Sequence, residues 1–313
     1  MLSKEENLKI FVDNGRTHIL TERMIPFIGN NRFYFEKPIG CDVQLSFVRI
    51  GVNSKLPKVQ RIDGIYYDSD TDFNRRNDSI SKSHQIADAV IYQSNYSKML
   101  CEKLLSKRRT NKAFVIYNGI DPDYTYEPKS SINIIVLGKH RRHKRLKEII
   151  DVFLAFNSIV NNSFLHIYGL LHDNKPVVNK NIIYYGMVDR KNIDFKSFDM
   201  SIHLSKRDSC PNSVVECIGH GIPVITTNNC GGATEMCKMT DGCIIVDGDG
   251  DYYSTNPVPH YRDSWNILSK DVFDGIVNAM LTISKNRPRV ILPEQLNIRY
   301  TTKRYLEALK SVI

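Results

Sequence analysis

The chain has few of the features that mark membrane, secreted or metal-centred proteins. Its 313 residues contain no apolar run long enough to span a bilayer, so no transmembrane helix is expected. The opening segment MLSKEENLKIFVDNG lacks the apolar core of a secretion signal. Seven cysteines (Cys41, Cys101, Cys210, Cys217, Cys230, Cys237, Cys243) make an odd number with no Cys-x-x-Cys pair. That pattern favours reduced, mostly buried thiols in the cytoplasm over a disulfide framework. Cys230, Cys237 and Cys243 are too evenly dispersed for a zinc site, and no histidine stands at ligand spacing beside them. Asp247, Asp249 and Asp251 alternate like the start of a calcium loop. However, Tyr252 takes the place of the required glycine and Val258 that of the closing glutamate, so a flexible acidic turn is expected. No internal repeat is present.

What remains is the composition of a soluble globular protein, 42% hydrophobic and 25% charged. The length allows one large domain or two smaller ones. The net charge of +9 implies anionic company: nucleic acid, a membrane surface or a phosphorylated small molecule.

The chain divides in two. In the first half the apolar runs are Leu8–Val12, Val43–Ile50, Ala89–Tyr92 and Ala113–Tyr117, with helices expected around Ile19–Ile28 and Ser94–Leu105. Asp68–Ser83 (DSDTDFNRRNDSISKS) is polar enough to read as an exposed loop, and Glu127–Ser131 as a linker. In the second half, strands are expected at Ile132–Leu137, Phe164–Tyr168, Ile182–Tyr185, Met200–Leu204, Ile222–Thr226 and Cys243–Val246. Helices are expected at Leu146–Val160, Asn212–His220 and Val272–Ser284, and Pro293–Val312 is a long helical segment. Such alternation with short loops predicts an α/β fold with a doubly wound parallel sheet.

The segment from Ile202 to Glu235 (IHLSKRDSCPNSVVECIGHGIPVITTNNCGGATE) has the layout of a ligand crevice at the carboxyl edge of such a sheet. Asp208 sits in a loop and Glu216 one or two turns into the following helix, so both carboxylates can face one polyhydroxyl ligand. The alternative is a loop aspartate plus a helix-surface glutamate. Gly231-Gly232 before Glu235 would offer unencumbered backbone N–H groups and a carboxylate to sugar hydroxyls, or form an ordinary turn into a helix. The strand Ile132–Leu137 runs into Gly138-Lys139-His140-Arg141-Arg142-His143-Lys144-Arg145, where glycine and cations surround a coming helix N-terminus, which suits a phosphate or diphosphate or forms a basic surface patch. Arg141, Arg142 and Arg145 read individually as basic surface. In the first half, Asp63 of Arg61-Ile62-Asp63-Gly64 could order a hydroxyl group or help a proton leave it, or it could cap a turn. His18 and His84 could serve as bases, but a solvated helix surface accounts for each. Gln93-Ser94-Asn95 reads as a helix start.

Taken in order, these segments resemble the retaining, nucleotide-sugar-dependent glycosyltransferases of family 4. The residues that carry the resemblance are Asp208–Glu216, similar to the paired-glutamate signature with aspartate first, and Cys210-Pro211-Asn212. To them are added Gly221-Ile222-Pro223-Val224, Gly231-Gly232 with Glu235, and Gly138-Lys139 with Lys144, similar to an arginine–lysine pair with lysine first. Val115–Asp121 (VIYNGID) looks like the segment before the interdomain linker, and Asp63 stands where many relatives carry an active-site histidine.

The resemblance implies GT-B architecture, two facing Rossmann-like domains with an interdomain cleft. A reduced acceptor-side domain would span 1–120, a nucleotide-sugar-binding domain 131–290, and a helix at 293–313 would pack back on the first. It makes Glu216 the acceptor of the donor ribose hydroxyls and places Asp208 beside the donor sugar. Gly138, Asn212, Gly231, Gly232 and Glu235 would line the donor. Lys139 and Lys144 would neutralise the leaving diphosphate, with Asp63 on the acceptor side. No tightly bound cofactor or catalytic metal is implied. The substrate would be a UDP- or GDP-sugar, and the acceptor a hydroxyl of a glycan, a lipid-linked molecule or a small molecule. The protein would be cytoplasmic, its basic surface allowing peripheral membrane contact, with no nucleic acid expected. Rival readings are a nucleotide-sugar epimerase or hydrolase of similar fold, or a basic nucleic-acid-binding protein.

Overall fold

The computed structural model describes residues 8–14, 18–29, 32–172, 174–250, 256–258, 262 and 266–313; Asp251 and Tyr252 of the acidic turn lie outside them. The described residues fall into two compact units. One takes those within Met1–Asp121, Thr255–Val258 and Glu294–Ile313, the other those within Pro122–Ser254 and Pro259–Pro293.

The first unit is a parallel sheet of six strands: β1 (Ile10–Asp13), β2 (Phe33–Tyr34), β3 (Val43–Phe47), β4 (Lys58–Ile62), β5 (Ala89–Tyr92) and β6 (Ala113–Val115). Their order is β2-β1-β3-β4-β5-β6. Its helices are α1 (Ile19–Ile28), α2 (Phe73–Ile86) and α3 (Asn95–Leu104). Ser94 caps α3, its hydroxyl accepting from Ser97 N at 2.9 Å.

The expected exposed loop at Asp68–Ser83 is a correction, because most of it is α2. Asp72 caps that helix, accepting from Arg75 N at 3.0 Å, and Asn77, Ile80, Ser83 and His84 form its buried stripe. Polar side chains can occupy that stripe because each is satisfied. Asn77 brackets the backbone of Tyr66 at 2.9 and 2.7 Å. His84 is likewise no solvated surface residue: it is buried between the Tyr92 hydroxyl at 2.8 Å and the Ser106 carbonyl at 2.7 Å.

The second unit is also a parallel six-stranded sheet: β7 (Ile132–Leu137), β8 (Ser163–Tyr168), β9 (Ile182–Gly186), β10 (Met200–His203), β11 (Val224–Thr227) and β12 (Ile244–Val246). The order β12-β11-β10-β7-β8-β9 puts the first strand of the unit at its centre, with successive strands added first on one side and then on the other. This is the doubly wound Rossmann order, and its switch point lies between β7 and β10, paired through Ile134 with Met200 and Ile135 with Ser201. Among the described residues, the helices that belong to it in sequence or packing include α4 (Leu146–Ile159), α5 (Asn212–Gly219), α6 (Gly232–Lys238) and α7 (Lys270–Asn286). On α4 the buried Leu146, Ile149, Ile150, Val152, Phe153 and Phe156 recur at helical spacing and join a core with Ile134, Val136, Ile202 and Ile225. Strands covered on both faces must be apolar throughout, which is why β7 reads INIIVL.

The last helix, α8 (Ile298–Lys310), belongs to the first unit. Ile298, Tyr305, Ala308 and Leu309 on one face enter the core that holds Leu20, Met24 and Phe47. Fully burying side chains of the Ile or Leu size is worth roughly 1.5–3 kcal/mol each, ample to fix a 13-residue helix.

Candidate functional site

Two constellations of polar groups gather at strand ends, one in each unit. The larger lies at the switch point of the second sheet. Leaving β7, Gly138 takes φ +151°, and its N–H donates to Tyr168 O at 3.1 Å at the end of β8. A Cβ on Gly169 would stand 1.8 Å from the Gly138 carbonyl oxygen, so the close crossing of these loops requires glycine there. His140, buried, reaches the Tyr168 carbonyl through Nε2 at 3.0 Å and anchors the turn. The chain then makes a short 3-10 turn, Arg142–Lys144, and enters α4 through Arg145 in the left-handed conformation. Lys139 is exposed in the loop between β7 and α4.

Lys144 Nζ forms an ion pair with Asp208 Oδ2. The two residues follow the two strands that flank the switch point, so the pair spans it. Burial pushes the Asp208 carboxyl up, but the Lys144 charge, with help from His203, outweighs it and holds the group below the usual carboxylate range. His203 ends β10 with Nε2 at 3.8 Å from Asp208 Oδ2, too long for a hydrogen bond. Burial drives its pKa down to about 4, so it is neutral at pH 7.

The Asp208 loop is joined to the Gly231 loop by a parallel bridge, with Gly232 N donating to Asp208 O at 2.7 Å. That corrects the expectation of unencumbered amides: the Gly232 N–H is spent on holding two loops together, and its contribution is positional. Gly231, at φ +64°, caps α6, whose first turn carries Glu235, nearly buried. Asn212 opens α5, and Glu216 one turn later is 3% exposed and paired through Oε1 with Arg190 Nη1. The second unit thus gathers Lys144, Asp208, Gly231, Gly232 and Glu235 around adjoining loops, while Glu216 is presented by α5 against Arg190.

Two of the expected surface arginines are not surface. Arg142 makes a two-pronged pair with Glu148 at 2.9 and 2.8 Å, its side chain only 17% exposed. Arg145 is fully buried, with Nε and Nη2 making no hydrogen bond. Lys206, also buried, is pushed down to about 8, first by burial and then by the charge of Arg145. Neither Arg190, His203 nor Lys206 stood out in the sequence. Of the three, only His203, closing the apolar run before Asp208, lay where a site residue could have been sought. The aspartates of the acidic turn have local duties: Asp247 accepts from the Asn228 amide at 3.2 Å and Asp249 from Ser269 N at 2.9 Å. Among the described residues no group of three His, Cys, Asp or Glu could hold a metal ion, and no helix is long and apolar enough to cross a membrane.

The smaller constellation follows β4 in the first unit. Arg61, 0% exposed, pairs through Nη1 with Asp63 Oδ1. Its Nε donates to the Tyr305 hydroxyl at 2.7 Å and its Nη2 to Asn118 Oδ1 at 2.8 Å. Asp63 Oδ1 also accepts from Gln93 Nε2 at 3.0 Å, and Oδ2 lies 3.0 Å from His18 Nε2. Asp63 keeps 32% of its side chain exposed, so a charged carboxylate fixed from behind presents an edge to solvent. His18 is not on a solvated helix surface as expected. It caps α1, and its pKa is driven down to about 3 by burial first and then by Arg61 and Arg23.

Residues 123–254, which hold the whole of the larger constellation, match the family described as "Glycosyl transferases group 1". No curated protein matches the chain in sequence. In fold it is similar to Anabaena HepE solved with UDP-glucose, at TM-score 0.61 and 13% identity, over 97% of this chain and 100% of that one. It is similar to WaaG, a glycosyltransferase involved in lipopolysaccharide biosynthesis, at TM-score 0.55 and 14% identity, over 86% and 78%. The likeness to TarM has TM-score 0.57 and 14% identity, over 86% of this chain and 54% of that one. The chain therefore spans little more than half the length of TarM, and 57% of the matched chain of the GtfA/B complex. These likenesses establish a two-unit, Rossmann-like fold of the GT-B type.

Proposed function

We propose that the chain is a retaining glycosyltransferase that moves a sugar from a UDP- or GDP-sugar to a hydroxyl of a glycan, a lipid-linked molecule or a small acceptor. The observation that carries this reading is the Lys144–Asp208 pair across the switch point, tied by the Asp208–Gly231 bridge to the loop that opens α6. In doubly wound sheets that point is where nucleotides bind. The match of residues 123–254 to the glycosyltransferase family and the fold shared with a protein that holds UDP-glucose support it.

In this reading the donor diphosphate lies at the N-terminus of α4, where unpaired amides and the helix dipole favour anions. Lys139 and Lys144 neutralise the charge that grows on the diphosphate as the glycosidic bond breaks, an electrostatic stabilisation of the transition state. Lys139 offers a point charge without the planar fork of arginine, so alignment of the phosphates rests on Lys144 and the backbone. Asp208, held ionised, faces the donor sugar and keeps Lys144 in place before the donor arrives. Glu216 accepts the ribose hydroxyls, which must compete with Arg190 for its carboxylate. Gly138, Asn212 and Glu235 complete the donor site. In the first unit Asp63 accepts a hydrogen bond from the acceptor hydroxyl. With Arg61 locked against it, that carboxylate orients a hydroxyl better than it removes a proton. The proton instead leaves to a donor phosphate oxygen, as front-face attack with retention requires.

Ligand-detected NMR against a panel of UDP-, GDP- and other nucleotide sugars, followed by product analysis with and without hydroxyl acceptors, tests this reading. A new glycoside of the donor's own anomeric configuration, formed only when acceptor is added, is expected. Conversion of the nucleotide sugar to an isomer without acceptor would make the protein an epimerase. Binding of single- or double-stranded nucleic acid without any nucleotide-sugar binding would overturn the enzyme reading.

A further inference from the structure

The groups around Asp63 leave His18 little freedom. Its Nδ1 accepts from Leu20 N at 3.2 Å, the capping bond that starts α1. A neutral imidazole carries one proton, and a ring nitrogen that accepts a backbone N–H cannot hold it, so the proton sits on Nε2. That nitrogen has two neighbours, Asp63 Oδ2 at 3.0 Å and Arg61 Nη1 at 3.1 Å. Arg61 Nη1 is itself only a donor, which leaves Asp63 as the partner of the Nε2–H. The His18 ring is held in this orientation by Phe47, its centroid 4.5 Å away and tilted by 33°. Asp63 is therefore gripped at both oxygens: Oδ1 by Arg61 and Gln93, Oδ2 by His18.

We infer that His18 is a positioning residue for Asp63, its Nε2–H fixing Oδ2 so that the remaining lone pair of that oxygen faces an incoming acceptor hydroxyl. The inference rests on the reading of Asp63 as the contact to the acceptor. It assigns His18 no role on the donor and no role as a base, since its only proton points at a carboxylate and its other nitrogen is occupied. The cap of α1 thus does two things: one nitrogen starts the helix, and the other sets the angle of a site carboxylate at the end of β4.

The two roles separate by substitution. Asparagine is a good N-cap, so His18→Asn preserves the start of α1 but is too short to reach Asp63. Glutamine is long enough to return a donor amide to Oδ2. Long-range nitrogen–proton spectra of the 313-residue chain, labelled at histidine, read the tautomer with no acceptor present. His18 is expected as the Nε2–H form with an unprotonated Nδ1, and its Nε2 signal should move in Asp63→Asn. Turnover of UDP-glucose with glycerol as the hydroxyl probe provides the second readout. His18→Asn should keep the wild-type melting temperature within a few degrees, leave KM for UDP-glucose unchanged and lose about tenfold or more in rate, the scale of a misplaced orienting group. His18→Gln should recover part of that loss. An Nδ1–H tautomer overturns the inference. So does a His18→Asn variant as fast as wild type while Asp63→Asn is slow, because the capping role would then be the whole role. If Asp63→Asn itself transfers at the wild-type rate, the acceptor-side reading of Asp63 fails, and the role of His18 falls with it.

Discussion

Removing Lys144 should injure the reaction far more than the fold, and the surroundings of the ion pair give the reason. In Lys144→Ala the Asp208 carboxylate, whose side chain is 16% exposed, loses its main positive neighbour. A hydrogen bond to a charged group is worth about 1.5–3 kcal/mol when buried. Here Lys144 keeps 28% of its side chain in solvent, so the loss of stability should be about 1–2 kcal/mol. Losing a preorganised group at developing charge costs on the order of 100-fold in rate, or about 2.7 kcal/mol in the barrier. The double variant Lys144→Ala/Asp208→Asn separates the two effects. It removes the stranded charge, so stability should return toward wild type while kcat/KM stays depressed. Urea unfolding and steady-state kinetics with the donor found in the nucleotide-sugar panel, on wild type, both single variants and the double variant, form the cycle. A double variant that regains the wild-type rate would show that Lys144 serves only to balance Asp208, and the assignment to the diphosphate would be wrong. A rate loss of only a few-fold in Lys144→Ala, vanishing at high salt, would reduce Lys144 to long-range attraction.

Arg142→Ala should do the opposite: it strands Glu148, whose side chain is 7% exposed, so unfolding free energy should fall by about 2–3 kcal/mol. Its kcat/KM at 25 °C should stay within a few-fold of wild type, and a larger loss would bring Arg142 into the site. Acid should weaken the protein in a defined window. His18, His166 and His203 have folded-state pKa values lowered to about 3, 4 and 4 by burial, against about 6.5 when unfolded. The unfolded chain therefore takes up their protons first, so stability is complete above pH 6.5 and is lost as pH falls from there toward 4. The loss is at most about 1.4 kcal/mol per pH unit for each histidine. Urea unfolding at pH 7.5, 5.5 and 4.5 checks this, and equal stability at pH 7.5 and 5.5 would contradict it.

The second unit was legible because its strands are covered on both faces. The run INIIVL can hardly be anything else in a protein of this size, and Ile132–Leu137 stands in the fold with the expected bounds, as does the equally apolar AVIY, Ala89–Tyr92, in the first unit. The first unit hid two elements behind polar residues that pack by hydrogen bonding. In β4, KVQRI looks like surface, yet Gln60 and Arg61 are 0% exposed because their partners come from distant segments, Ile80, Asn118 and Tyr305 among them. In α2 the buried stripe includes an asparagine, a serine and a histidine, and no pattern of apolar residues marks it. The candidate donor residues could be named because Lys139 with Lys144, and Asp208 with Glu216, resemble the paired residues of the family 4 glycosyltransferases. Which cations among Arg141 to Arg145 lie on the surface could not, since one left-handed residue at Arg145 turns that side chain inward. Of the partners that set the electrostatics, His203 beside Asp208 is marked only by closing the apolar run before it, while Arg190 on Glu216 comes from a distant segment and no local sequence signal records it.

Glu216 offers the most direct test of the proposed nucleotide-sugar site. Calorimetric titration of the donor identified in the panel should be run into wild type and into Glu216→Gln. The substitution keeps the size of a side chain that is 3% exposed and removes its charge, so charge-assisted acceptance of ribose hydroxyls, worth roughly 1.5–3 kcal/mol, is lost. Binding in the wild type and a Kd weaker by about tenfold or more in the variant, with an unchanged unfolding midpoint, is the expected result. Equal affinity in the two proteins would mean that the donor binds elsewhere.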